Sequence, residues 1–159
     1  MRLARGVIFA RVKRRLIGRS DIADFPQLGL ERIAVKVDTG AYTSSIHCHH
    51  IRVEPRGRDG REVLTFKLLD PSHPDYDGRV FAFEQFRSKR VRSSNGSAER
   101  RYVIASTIRL FARTYPLELT LSERQEMRFP VLLGRRLLHR RFVVDVAETD
   151  LSYAHERGS

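Results

Sequence analysis

The chain has 159 residues, 41% of them hydrophobic, 9% aromatic and 31% charged, which makes one ordinary domain with enough apolar material for a packed core and argues against whole-chain disorder. Thirty Lys plus Arg stand against 19 Asp plus Glu for a formal charge of +11, and only Lys13, Lys36, Lys67 and Lys89 are lysines. A field of that sign concentrates anions, whether acidic proteins or nucleic acid, although the arginines are spread as a generally arginine-rich composition would spread them.

Apolar residues alternate in short bursts between turn residues, and no long stretch holds a helical period, which is the pattern of an all-β domain. Residues 1–16, with Arg11, Lys13, Arg14 and Arg15, read as a basic arm or strand. The apolar run Gly6 to Ala10 is too short for a signal-peptide core or a membrane span, so the expected location is the cytoplasm and no membrane partner is expected. Ile33, Val35 and Val37 alternate with Ala34 and Lys36 in a strand that stops at Asp38-Thr39-Gly40. Ile51 and Val53 lead into a turn from Pro55 to Gly60, Leu64, Phe66 and Leu68 follow, and a second break runs from Asp70 to Gly78. Val80 to Phe86 reads as another strand. Arg92-Ser93-Ser94-Asn95-Gly96 carries an Asn-Gly pair ahead of the strand-like run Tyr102 to Ala105, the signature of a hairpin tip. Leu117, Leu119 and Leu121 alternate cleanly, and Phe129 to Leu133 runs up to Gly134. Arg135 to Arg140 is the one helical stretch, Phe142 to Val146 the last strand, and residues 148–159 a polar tail expected to be loosely ordered. The folded domain is thus expected over residues 17–147.

Two places could carry chemistry. At Asp38-Thr39-Gly40-Ala41 a buried strand delivers a carboxylate onto a turn, where Thr39 can brace the loop and Gly40 lets backbone approach closely. Taken alone, the tripeptide also fits a plain Asx-type turn. The other place is His47-Cys48-His49-His50. On a strand His47 and His49 share one face while Cys48 and His50 share the other, so no more than two converge easily on one ion. We therefore expect no metal site, with His47 and His49 as its weak candidates. A lone cysteine also excludes an intrachain disulfide and any multi-cysteine metal centre.

The second element, Phe129-Pro130-Val131-Leu132-Leu133-Gly134-Arg135-Arg136-Leu137-Leu138, follows the first by about ninety residues. Together they resemble the retropepsin-like aspartic proteases, in which the later glycine element packs behind the catalytic loop. Ile17-Gly18-Arg19, Phe25-Pro26-Gln27-Leu28-Gly29, Lys36 to Ala41, Thr43-Ser44-Ser45-Ile46-His47, Val91 to Gly96, Glu99-Arg100, Val103-Ile104 and Met127 to Arg135 occur in the order of one bacterial branch. That branch is often encoded beside a RimK-type ATP-grasp ligase and is widely labelled an ATP-dependent zinc protease. The residues support neither adjective: no P-loop with its Lys and Ser/Thr is present, and no His-Glu-x-x-His.

The resemblance implies a single closed β-barrel domain with one short helix near the C-terminus and an aspartic endopeptidase without cofactors. Such chemistry needs two carboxylates sharing a proton. One Asp-Thr-Gly per chain then implies a homodimer with Asp38, Thr39 and Gly40 of each subunit at the axis. Asp145 is a weaker partner in cis, while Asp59-Gly60 and Asp77-Gly78 lack the preceding strand and the hydroxyl residue. The resemblance further implies that Arg92, Ser93, Ser94, Asn95 and Gly96 form a flap over a peptide substrate, and that Ala41, Leu133, Gly134 and Arg135 support the site. Arg135 is expected to need a fixed carboxylate. Tyr42 departs from the family pattern, where Arg is common. The associated ligase adds glutamates to a ribosomal protein, which points to a glutamate-extended or acidic substrate. A non-catalytic module binding the ligase or a ribosomal component is the alternative, and nucleic acid is not favoured because no aromatic stacking signature accompanies the arginines.

Overall fold

The computed structural model describes residues 13–56, 59–92, 95–123 and 128–158. In chain order the first strands are β1 (Arg15–Ile17), β2 (Ser20–Phe25), β3 (Leu30–Val37), β4 (Ser44–Arg56) and β5 (Arg61–Leu68). They are followed by β6 (Val80–Phe83), β7 (Arg87–Arg92), β8 (Ala98–Leu110), β9 (Arg113–Ser122) and β10 (Val131–Leu133). Helix α1 (Arg135–Leu138), strand β11 (Phe142–Val144) and helix α2 (Leu151–Arg157) complete the chain.

Six strands close a ring in the order β3-β2-β8-β9-β4-β10, since β10 pairs parallel with β3 on one side and antiparallel with β4 on the other. The domain is all-β, as the alternating pattern predicts, but the ring is not a plain barrel. Strands β4 and β8, thirteen residues each, outrun it. The far half of β4 carries β5, which carries β6, and the first half of β8 carries β7. Burial follows this layout. Ser44 to Cys48 are buried without a break, because inside the ring β4 is covered on both faces, whereas its outer half alternates. The core gathers Ile33, Val35 and Val37 of β3, Ile46 of β4, Leu119 and Leu121 of β9, and Val131 and Leu133 of β10.

Three features differ from the sequence expectation. Strand β2, Ser-Asp-Ile-Ala-Asp-Phe, buries alternate residues including Asp21, so a carboxylate occupies a position where the alternation needs an apolar residue. The β8–β9 turn uses Phe111 and Ala112 at φ 52° and 59°, with none of the Gly or Asn that marks such turns. The C-terminal residues are not a loose tail. Helix α2 docks on β2, where Asp21 accepts the N–H groups of Ser152 at 2.9 Å and Tyr153 at 3.1 Å and so caps the helix from 131 and 132 residues away in sequence. Ser152, fully buried, accepts the Phe111 N–H at 2.8 Å. No helix among the described residues is long and apolar enough to cross a membrane.

Candidate active site

Strand β3 ends at Val37, and Asp38 sits at the mouth of the loop that leads to β4. Strand β10 lies between the two, pairing Leu133 with Val37 and Val131 with Ile46. Its last carbonyl, that of Leu133, accepts the Asp38 N–H at 2.9 Å. Beyond it Gly134 N–H donates to Ser44 Oγ at 3.1 Å, and the amides of Arg135 and Arg136 donate to the carbonyls of Ala41 and Tyr42 at 2.9 and 3.0 Å. The loop is therefore stitched from behind by three backbone bonds and the Ser44 hydroxyl. Gly134 makes this possible, since a Cβ there would lie 2.6 Å from the Thr43 carbonyl carbon and oxygen.

Within the loop Asp38 Oδ1 accepts the Gly40 N–H at 3.0 Å, which fixes the carboxylate in plane, and Ala41 N–H closes the turn on the Asp38 carbonyl at 3.2 Å. Asp38 is half-buried, while Thr39, Gly40 and Tyr42 face outward. Arg135 donates to the Thr39 carbonyl at 3.0 Å. That replaces the fixed carboxylate expected for it: the guanidinium ties the loop through a backbone oxygen. The Arg135 and Arg136 guanidiniums lie over the Tyr42 ring, 5.7 and 5.9 Å from its centre.

The hairpin of β7 and β8 rises beside this loop, registered from Arg87 opposite Val103 to Arg92 opposite Ala98. Its tip is where the Asn-Gly pair predicts it, with Gly96 at φ 83° and Asn95 Oδ1 accepting the Ser97 N–H at 3.1 Å; Ser93 and Ser94 lie outside the described residues. Lys89 on the hairpin reaches across to Thr43, donating to its hydroxyl at 2.9 Å. Partial burial, with Arg87 and Arg101 nearby, pulls the Lys89 amine below its ordinary value. Glu118 accepts from both Arg87 and Arg136, and the Arg87 hydrogen bond above all holds its carboxyl low. This charged ring around Thr43 has no local motif. Its only sequence signal is that Lys89 is one of four lysines among thirty basic residues.

The other candidates do different work. Asp145 accepts the Ala147 N–H at 2.9 Å and shapes its own turn, Asp77 does the same for Arg79, and Asp59 pairs with Arg61. His47 and Cys48 are buried, and burial pushes the Cys48 thiol up to about 12. His49 Nε2 lies 3.3 Å from the Tyr76 hydroxyl, and His50 points outward on a residue with φ 53°. Among the described residues no three His, Cys, Asp or Glu side chains converge.

A strand-end carboxylate in a loop crossed by a later glycine-terminated strand, on a closed β ring, defines an acid-protease-type domain. Residues 16–155 match the RimB-like family model, described as retropepsin-like aspartic endopeptidase RimB, and the chain belongs to that family. Among similar proteins, one from Shewanella pealeana is 38% identical over 138 residues, 84% of this chain and 29% of its own length. Another, from Desulfotalea psychrophila, is 35% identical over 137 residues, 86% of this chain and 29% of its own. Both bear the name Probable alpha-L-glutamate ligase, and this chain spans under a third of their length. The crystal structure of Lpg0085 of Legionella pneumophila, a DUF785 protein with unknown function, shares the fold at a TM-score of 0.65 and 22% identity, over 88% of this chain and 99% of that one.

Proposed function

We propose that the chain is an aspartic endopeptidase that works as a homodimer, each subunit contributing one Asp38. The observation that carries this reading is the outward-facing Asp38-Thr39-Gly40 loop, held from behind by β10 and supplying a single carboxylate. A second Asp38 across a two-fold axis completes the pair. Two carboxylates at that range share one proton, so the ionised member draws a proton from water while the protonated member polarises the scissile carbonyl. The Gly40 amide holds Asp38 Oδ1 in place, leaving Oδ2 for the water. Thr39 braces the paired loops, and residues 92–96 cover the substrate as a flap. The work is cytoplasmic.

The substrate is an acidic or glutamate-extended polypeptide, a choice supported by the positive charge of the chain and by the glutamate-ligase name of its relatives. The same relatives favour one second reading. A segment that matches 29% of a longer protein can be a docking module for an ATP-grasp ligase, without turnover. Asp38 discriminates. Peptide-library cleavage read by mass spectrometry is expected for the wild type, with and without a chelator, and to fall by roughly 10²–10⁴-fold or more in Asp38→Asn. Equal cleavage by both proteins, or cleavage abolished by the chelator, would overturn the peptidase reading. Absence of cleavage with ligase binding retained would favour the module.

A further inference from the structure

The hairpin of β7 and β8 leaves the core at its base. Phe86 and Tyr102 pack on the core there, edge to face with ring centres 5.9 Å apart, and Val103 is buried beside them. Farther out β7 buries none of its residues, Ala98, Glu99 and Arg100 of β8 are exposed, and no described hairpin residue joins the core. A two-stranded ribbon without apolar cover is marginal on its own, so its tilt is set by whatever it touches. Among the described residues two β7 side chains, on one face, reach off the ribbon. Arg87, opposite Val103 at the base, pairs with Glu118, which Arg136 of α1 also holds at 2.8 Å. Lys89, opposite Arg101, donates to Thr43 Oγ1 at 2.9 Å. At about 3.3 Å per residue, Lys89 stands about 7 Å out from Arg87 and Arg92 about 16 Å out. A shift at Lys89 therefore more than doubles by Arg92, so the Lys89 contact governs the tilt while Arg87 only pins the base.

We infer that Lys89 is a positioning residue: its bond to Thr43 is the strap that sets how far the β7–β8 hairpin leans over the Asp38 loop, and so how firmly a bound polypeptide is covered. The strap stands on the hairpin geometry alone, and its service to catalysis rests on the peptidase reading. Thr43 is a suitable anchor. Its carbonyl lies hard against Gly134, and the Tyr42 carbonyl before it accepts the Arg136 N–H at 3.0 Å, so Thr43 moves with the loop that carries Asp38. The surroundings make the strap reversible. Partial burial, then Arg87 and Arg101, pull the Lys89 amine below its ordinary 10.5, with Arg136 adding to them and Glu118 as the opposing charge. A cation held among cations is a contact that opens readily, as a cover over a substrate must.

The test is a double-mutant cycle of Lys89→Met and Thr43→Val, read by amide hydrogen exchange of the whole chain and by peptide cleavage. Exchange over residues 87–103 is expected to speed up about tenfold in either single variant and no further in the double, with β3 and β10 at the wild-type rate. Lys89→Arg keeps a cationic donor and should recover most of the lost protection. In cleavage, KM is expected to rise about fivefold in Lys89→Met while kcat falls by about twofold at most, since the substrate is held less firmly and Asp38 is untouched. Unchanged hairpin exchange in Lys89→Met would overturn the inference. So would additive effects in the double variant, or faster exchange spread equally over hairpin and ring. A collapse of kcat with KM unchanged would also end the positioning role, because Lys89 would then act in the chemistry. If exchange behaves as expected while the wild-type protein cleaves nothing, the strap stands and the peptidase reading falls.

Discussion

Gly134 shows how one residue can decide a loop. The atoms that its missing Cβ would strike are backbone, Thr43 carbonyl carbon and oxygen at 2.6 Å and Tyr42 carbonyl carbon at 2.9 Å, so no rotamer change relieves the contact. Alanine there must push β10 and the 38–43 loop apart, stretching the Asp38-to-Leu133 and Gly134-to-Ser44 bonds together. Gly134→Ala is expected to cost about 3 kcal/mol and roughly 10 °C in melting temperature. Gly158→Ala, whose Cβ would meet the Ala154 and His155 carbonyl oxygens at an ordinary 3.5 and 3.9 Å, serves as the neutral control. Thermal unfolding of the two side by side checks the claim, and an unchanged midpoint for Gly134→Ala would show that the loop can move away. Asp38 and Gly134 are legible in the sequence because each sits at the end of an alternating apolar strand and their order is preserved. The Lys89–Thr43 contact is not, since it depends on how far a hairpin leans over the loop.

At the scale of elements, the same contrast separates β3 from α2. Strand β3 carries its own pattern, whereas Leu151 to Arg157 hold only Leu151, Tyr153 and Ala154 as hydrophobic residues and owe their helix to Asp21 on β2. A cap supplied from across the chain leaves no mark in a local window, and this is why the C-terminal residues read as a tail. The arrangement has a pH signature. Burial raises the Asp21 carboxyl above its ordinary 3.8, against three N–H bonds from Ile22, Ser152 and Tyr153 that favour the anion. A raised native value means that the folded state keeps its proton to higher pH than the unfolded chain. The stability Asp21 contributes is then full below pH 3.8 and declines as pH rises through its folded value. Asp21→Asn removes this titration and at least one of the three bonds, for a cost of about 1–3 kcal/mol. Denaturant unfolding across a pH series should find the deficit against wild type largest at low pH and narrowing upward. A deficit that widens with pH would mean that the hydrogen bonds outweigh burial.

At the scale of the whole molecule, the peptidase reading proposed above needs two carboxylates, and the half-buried Asp38 of a single chain supplies one of them. Thr39, Gly40 and Tyr42 are exposed, Tyr42 to 61%, beside two guanidiniums that its ring only partly covers. Pairing two such loops about a two-fold axis would bury these groups and bring the carboxylates together. Mixing separates this arrangement from a one-chain site. If the active species is a dimer, adding excess Asp38→Asn protein to wild type and allowing exchange traps each wild-type chain beside a subunit without the second acid. Activity per wild-type chain should then fall toward that of the mutant, and sedimentation should show the 18.4 kDa chain passing to twice its mass as concentration rises. A site complete in one chain would ignore the added mutant at every ratio, because its carboxylates would never leave the subunit that carries them.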